Sequence, residues 1–324
     1  MTDVVDINED LIRNYDLEVL EKLLFDHTTR RNIFWATEDY KSLGPGYEYA
    51  SPITPELITG PNIRVIRPRT LKARELQSAR AREMAEVFTP SWICNAQNNL
   101  VDEAWFGRPN VFNTPNGPHS WTATTEPIAF PEGKTWKDYV RLQRLEITCG
   151  EGPYLVSLYD ATTGYPIPIS QRIGLLDRKL RVVSENAATS EEWLEWAKEA
   201  YHSLYAYEWQ GDSLLLAREA MLYSFFDYYR QRFGRDPQKQ SVRSIAYIVS
   251  WNLWQMDGLK CVVPDSCHPD VSADLFGNKT ETPCPGCAKD SLRAHNGTYC
   301  LVRDWHTKNP ERKKVRFVDL ISQY

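Results

Sequence analysis

The run Leu145-Glu146-Ile147-Thr148-Cys149-Gly150-Glu151-Gly152-Pro153-Tyr154-Leu155 constrains the fold more than any other stretch of this chain. It reads as a short strand, a tight turn with glycines at alternate positions, and the start of a helix. Gly150 and Gly152 tolerate the positive φ such a turn demands and leave backbone room where a cofactor passes close. Strand-to-helix turns with two glycines are common. The run therefore fixes a strand–turn–helix unit and does not by itself name a ligand.

At 324 residues the chain buries a sizeable core, enough for one large α/β domain or one domain with appendages. No apolar run approaches the roughly 18 residues that a membrane span needs, and the start lacks the basic-then-apolar order of a signal peptide. A cytoplasmic protein with no membrane partner is expected. The net charge of −5 argues against a generally basic nucleic-acid coat. Charge is nevertheless uneven, because Arg64, Arg67, Arg69, Lys72, Arg74, Arg80 and Arg82 crowd one span in which Glu75 is the only acid. Such a cluster either neutralises phosphates or forms a solvated helix face.

Along the chain, Asp10-Leu11-Ile12 and Leu17 to Leu24 carry apolar residues at helical spacing, and residues 43 to 62 read as an irregular connection. From about 70 to 106 the pattern is helical, broken at Thr89-Pro90. Pro90 suits a helix's first turn, and Trp92, Ile93, Ala96 and Leu100 form the predicted apolar stripe. Glu191 to Tyr201 reads as a helix, Leu204 to Glu208 as a buried strand ending in an acid, and Leu214 to Arg230 as an amphipathic helix. Alternating strands and helices across 140 to 260 predict a mostly parallel sheet with helices on both faces.

Three segments in order, Phe88-Thr89-Pro90-Ser91-Trp92-Ile93, the glycine run, and Tyr207-Glu208, resemble the S-adenosylmethionine site of adenine-N6 DNA methyltransferases of restriction-modification systems. The likeness spans about residues 86 to 260 and is greatest to proteins labelled restriction endonuclease subunit M. It implies a Rossmann-like methyltransferase fold over 86–324, preceded by a helical extension over 1–85 that contains the basic segment. It also implies that Phe88, Thr89 and Pro90 close over the methionine end of the cofactor. Glu146, Cys149, Gly150 and Gly152 match the first strand and its loop, Glu208 the acid on the ribose hydroxyls, and Asp257 in Trp254-Gln255-Met256-Asp257-Gly258-Leu259 the adenine contact. Between Gly152 and Glu208 the spacing exceeds one crossover, so an insertion near 160–190 is expected.

The family grips the target amine with a polar residue followed by Pro-Pro and an aromatic. This chain contains no Pro-Pro pair. Tyr299 to His306 lies where the fourth strand and that loop fall, which makes Asp304 and Trp305 the catalytic stand-ins. Three readings stay open: a diverged active loop, a cofactor-binding but inactive partner of a restriction or specificity subunit, and a likeness of ancestry alone.

Of seven cysteines, five fall between Cys261 and Cys300, in a pattern unlike a disulfide framework. Cys284-Pro285-Gly286-Cys287 is knuckle-like, with His268 and His295 nearby. A structural Zn²⁺ held by Cys267, Cys284, Cys287 and Cys300 is expected, with Cys261 as an alternative to one of them. The competing account is a few buried or idle thiols.

Overall fold

The computed structural model describes residues 8–72, 74–83, 89–273, 279–310 and 313–321. It is a mixed α/β fold built on a small parallel sheet of three strands, Arg144–Glu146, Leu204–Glu208 and Leu253–Gln255. The second strand is central, with Glu146 opposite Ala206 and Glu208 opposite Gln255. Parallel neighbours require crossovers, and each crossover here holds two helices. Leu175–Asn186 and Ser190–His202 join the first strand to the second, and Gly211–Phe233 with Lys239–Asn252 join the second to the third. The insertion expected near 160–190 thus contains the helix Leu175–Asn186.

Local chemistry explains the helix limits. Thr189 accepts the Glu192 N–H at the start of Ser190–His202, and Gly234 closes Gly211–Phe233 in the left-handed region. The helix read as amphipathic over 214–230 is instead buried on nearly every side, including Arg218 and Glu219. It threads between the helices Leu17–Leu24, Leu175–Asn186 and Lys239–Asn252. Arg218 is tolerated there because its guanidinium donates to backbone carbonyls at the ends of other elements: Leu23, Phe25 at 3.2 Å, Ser250 at 3.2 Å and Leu253 at 2.6 Å. Cationic groups are favoured where helices end in unsatisfied carbonyls.

The N-terminal helices Glu9–Tyr15 and Leu17–Leu24 meet at Asp16, which accepts the Glu18 N–H and pairs with Arg243 at 2.7 Å. Ile12, Val19, Leu20, Leu23 and Leu24 join the same apolar core as Leu214, Phe225 and Ile245. The segment over 8–83 is therefore integral to the core.

Two sequence expectations are corrected. On the helix Ser91–Phe106 the inward face is polar: Asn95, Asn98 and Asp102 are buried, whereas Trp92, Ala96 and Leu100 are exposed. Arg178 explains the inversion. Its guanidinium reaches Asp102 at 2.6 Å, Asn95 at 2.9 Å and Asn99 at 2.8 Å, so the helix docks through a charged network. Second, the segment from Cys300 to Trp305 is no fourth parallel strand. The Cys300 thiol meets the Gln255 carbonyl at 3.3 Å and Trp305 donates to Asn252 at 2.7 Å, so the segment runs opposite to the third strand. Leu301–Arg303 pairs antiparallel with Lys314–Arg316 instead. Among the described residues, no helix is long and apolar enough to cross a membrane.

Candidate functional site

The carboxyl ends of parallel strands are where α/β sheets hold ligands, and here the glycine turn lies at that end. Thr148, Gly150 and Gly152 all have positive φ, at +47°, +54° and +75°. Thr148 is the costly one, because a β-branched residue rarely takes this conformation. Space is open around Gly150, where an added Cβ would meet nothing within 4 Å. The turn is tied to the second strand twice: Cys149 N–H donates to the Tyr207 carbonyl at 2.9 Å, and Gly150 N–H to the Glu208 carboxylate at 2.8 Å. The other Glu208 oxygen accepts the Gln210 N–H at 3.2 Å.

Glu146 completes the carboxylate pair. Its Oε2 is buried and has no partner in the structure, while the Tyr154 and Leu155 N–H groups bond the carboxylate. Burial, then the charge of Glu208, pushes the Glu146 carboxyl well above its ordinary range, and burial also raises Glu208. Thr89 and Pro90 close one side. The Thr89 side chain bonds Tyr154, its carbonyl accepts from the Cys94 thiol at 3.6 Å, and Ser91 N–H donates to Asp160 at 3.0 Å. Burial pushes Cys94 up to about 12, with Glu146 adding to it, and also raises Cys149 well above the usual thiol range; both are inert thiols at neutral pH.

Thr89, Glu146, Cys149, Gly150 and Glu208 thus lie near one another at the carboxyl end of the sheet, linked through Tyr154 and the Glu208 carboxylate, with Pro90 and Gly152 as chain neighbours. Phe88 and the side chain of Arg74 lie outside the described residues. Asp257 follows the third strand, but its carboxylate is committed to its own turn. It accepts from Leu259 and Lys260 N–H at 2.9 and 3.2 Å and pairs with the Lys260 ammonium at 3.2 Å. Asp304 and Trp305 are not at this end. Trp305 bonds Asn252 and stacks on His202 at 4.3 Å, and these residues precede the third and second strands. Asp304 accepts the His306 and Thr307 N–H groups of its own turn. A strand's length, roughly 13 Å, separates them from Glu208. Both fall at the wrong end because their segment runs antiparallel to the sheet.

The basic segment also turns inward. Lys72 and Arg80 each approach Asp212 at 3.0 Å, all three being buried, and Tyr40 donates to the same carboxylate at 2.7 Å. Burial alone would raise Asp212; the two cations override it and hold it below the ordinary carboxylate range. Arg69 meets the crevice through its backbone, whose N–H bonds Glu151 at 2.6 Å. Arg64 and Arg67 are exposed.

A second constellation lies in the late insert. The ligating atoms of Cys267, Cys284, Cys287 and His295 all lie within 4.8 Å of one another. His295 Nδ1 stands 3.6, 3.6 and 3.7 Å from the three sulfurs. One nitrogen cannot hydrogen-bond three thiols at once. A tetrahedral ion with ordinary Zn–S and Zn–N bonds sets sulfur and nitrogen about 3.5 Å apart, which the observed spacing meets. Gly286 is required by this approach, since a Cβ there would lie 2.5 Å from His295 Nδ1. The backbone N–H of His295 donates to the Tyr299 hydroxyl at 2.9 Å, which fixes the main chain at this position. The thiols already differ. Burial, then Cys284, lifts Cys267 to about 11. For Cys284, burial is outweighed by N–H groups of Asn296, Cys287 and Gly286 and by His295, which bring it to about 6.

The cluster is a candidate metal centre of Cys3His type, and it corrects the expected ligand set. Cys300 is fully buried with Cys261, Tyr207, Trp254 and Val302 in a second apolar core. Its thiol donates to a backbone carbonyl, as a core cysteine does. His295 takes its place, eight residues after Cys287, a spacing visible in the sequence. No protein-family model, no curated protein and no solved structure matches this chain.

Proposed function

We propose that this chain is the S-adenosylmethionine-binding, methyltransferase-type subunit of a DNA-modification system, stabilised by a structural zinc. The observation that carries the reading is the Gly150–Glu208 hydrogen bond, which joins the glycine turn to the acid of the next strand at the carboxyl end of the sheet. Glu208 is placed to accept two neighbouring hydroxyls of a ribose, exchanging its present N–H partners for them. The open side of Gly150 admits close backbone approach, and Thr89 with Pro90 borders the same crevice. When bound, the cofactor supplies an electrophilic methyl group; Glu208 holds its sugar and the turn excludes bulk from its path.

The placement of Asp304 and Trp305 favours the inactive-partner form of this reading over transfer to adenine N6 by this chain alone. With no Pro-Pro loop in the sequence, the group that grips the amine comes from another subunit. For the metal, Cys267, Cys284, Cys287 and His295 form a set of soft thiolates and one imidazole suited to Zn²⁺. Calorimetric titration with S-adenosylmethionine tests the pocket. Micromolar binding that disappears in Glu208→Ala supports it; an affinity unchanged in Glu208→Ala removes the assignment of the second strand. A zinc content near zero in freshly purified protein removes the metal.

A further inference from the structure

The surroundings of the seven thiols sort them into two classes. Cys94, Cys149, Cys261 and Cys300 are buried, each apart from the knuckle. Burial pushes Cys261 up to about 11 and Cys300 well above the usual thiol range, as it does Cys94 and Cys149. Oxidants react with thiolates they can reach, so packing and retained protons both protect these four.

The knuckle is built differently. Cys284 is buried and Cys267 half-buried, whereas Cys287 is the one exposed cysteine of the seven. Its sulfur nevertheless lies within 4.8 Å of both other sulfurs. A centre whose only task is to tie the insert together gains from enclosing every ligand, because enclosure keeps solvent from the metal–sulfur bonds. This one leaves a corner open. Cys284 lies three positions before Cys287, across Pro285 and Gly286, the spacing of dithiols that close into a disulfide. Between Cys267 and Cys284 the chain forms the hairpin Asp270–Ala273 with Lys279–Thr282. That hairpin is tied at both ends by ligands of the same ion.

We propose that the knuckle is a peroxide-sensitive switch, in which oxidation joins Cys287 to Cys284 and releases the ion. The inference rests on the metal part of the reading above and deepens it. Metal ligation keeps the sulfurs as thiolates. The exposed Cys287 thiolate attacks one oxygen of hydrogen peroxide, the O–O bond breaks, and a sulfenic acid and hydroxide result. The Cys284 thiolate then attacks that sulfur, the S–S bond forms, and a second hydroxide leaves. Two electrons pass from the two sulfurs to the peroxide, and solvent protonates both hydroxides to water. The ion loses two of its four ligands together. Cys267 and His295 alone do not make a tetrahedral site, and the hairpin loses its tie.

The full chain, with its metal as purified, is treated with hydrogen peroxide beside a chromogenic zinc chelator. Zinc appears in step with a tryptic peptide, residues 280–289, lighter by two hydrogens, because that peptide contains both cysteines. A thiol reductant restores the peptide mass and zinc binding. The four buried cysteines stay unoxidised. In Cys287→Ser, peroxide releases zinc at least about tenfold more slowly, since the exposed thiol is gone. Should that variant lose its ion or fail to fold, timed alkylation of the wild type carries the test, with Cys287 oxidised first. Zinc release without the disulfide overturns the proposal. So does a disulfide through Cys267, or a buried cysteine oxidised before Cys287. Protein that keeps its zinc under peroxide overturns this inference alone, whereas protein purified without zinc overturns the metal reading with it.

Discussion

At the glycine turn, the convergent groups are already held by protein. Glu208 accepts two backbone N–H groups, Cys149 is pinned to Tyr207, and the following helix starts in the buried Asp212–Lys72–Arg80 network. At the cysteine knuckle, three thiols and an imidazole surround one point, and no set of hydrogen bonds among them accounts for the spacing. In the hairpin beside the knuckle, Asp270–Ala273 with Lys279–Thr282, the residues Asp270, Val271, Ser272 and Lys279–Thr282 are all exposed. The contrast is between a turn whose polar groups are satisfied within the protein and a cluster whose spacing an ion would account for. On the proposed metal reading, removing the ion takes the local fold with it, whereas the turn stands by itself.

Metal removal produces the largest difference. Structural zinc contributes an apparent ~10–16 kcal/mol in small zinc modules. Treatment with a strong chelator should expose amides of residues 261–300 to hydrogen exchange while Leu204–Glu208 stays protected. Equal protection of both regions before and after chelation would break the contrast. Next in size is Asp212→Ala, which leaves the buried Lys72 without its carboxylate and Arg80 with Asp39 as its remaining acid. Losing one partner of a buried ion pair costs about 3–5 kcal/mol, read as a lower urea midpoint with bound metal unchanged. A parallel loss of metal would show that the two regions are not independent.

The difference also explains what the sequence made legible. The crevice is written in local order: a strand, a glycine turn and a strand-end acid, each readable from spacing. The parallel strand Leu204–Glu208 follows from it, whereas the hydrogen bond from Gly150 to Glu208 emerges only in the fold. The knuckle was half legible, because Cys284 and Cys287 are adjacent in the chain whereas the choice between Cys300 and His295 depends on which one the core claims. Chain direction was not legible. Whether the segment after Tyr299 runs with or against the third strand depends on the local Asp257–Val262 bridge and on the bridge of Val262 to Tyr299, a contact between residues distant in the chain. The inward fate of Lys72 and Arg80 was hidden for the same reason, since their partner Asp212 lies more than a hundred residues away. On the helix Ser91–Phe106 the apolar pattern pointed to the wrong face, because Arg178 made burial of Asn95 and Asp102 the better solution.

Glycine substitutions sharpen the comparison at smaller scale. Gly286→Ala drives a Cβ into the His295 ring, and overpacking of this kind costs about 1–3 kcal/mol. It should weaken metal binding at least about fivefold, with the urea midpoint of the sheet unchanged. Gly150→Ala meets no atom, and its penalty is the positive φ, about 1–2 kcal/mol of fold stability with metal content intact.

The smallest effect is one of sign under mild acid. Burial raises Glu146 and Glu208 in the folded protein. A carboxyl with a raised folded pKa binds more protons folded than unfolded, so its contribution is favourable below its unfolded pKa and is lost as pH rises through the folded value. Lowering the pH from 7 towards 5 therefore relieves the crevice. On the proposed metal reading, protons compete with the ion for its ligands over the same range, which releases it from the knuckle. His27, lowered to about 3, also loses stability as pH falls below 6.5, so the whole-protein melting curve mixes opposing terms. Glu146→Gln separates them, because it removes only the crevice contribution. The variant should be more stable than wild type at pH 7, by about 1 kcal/mol or a few degrees in Tm, and the advantage should shrink by pH 5. Metal per chain should fall alike in both proteins over that range. An advantage that grows with acid would mean that Glu146 is charged and paired in the folded state.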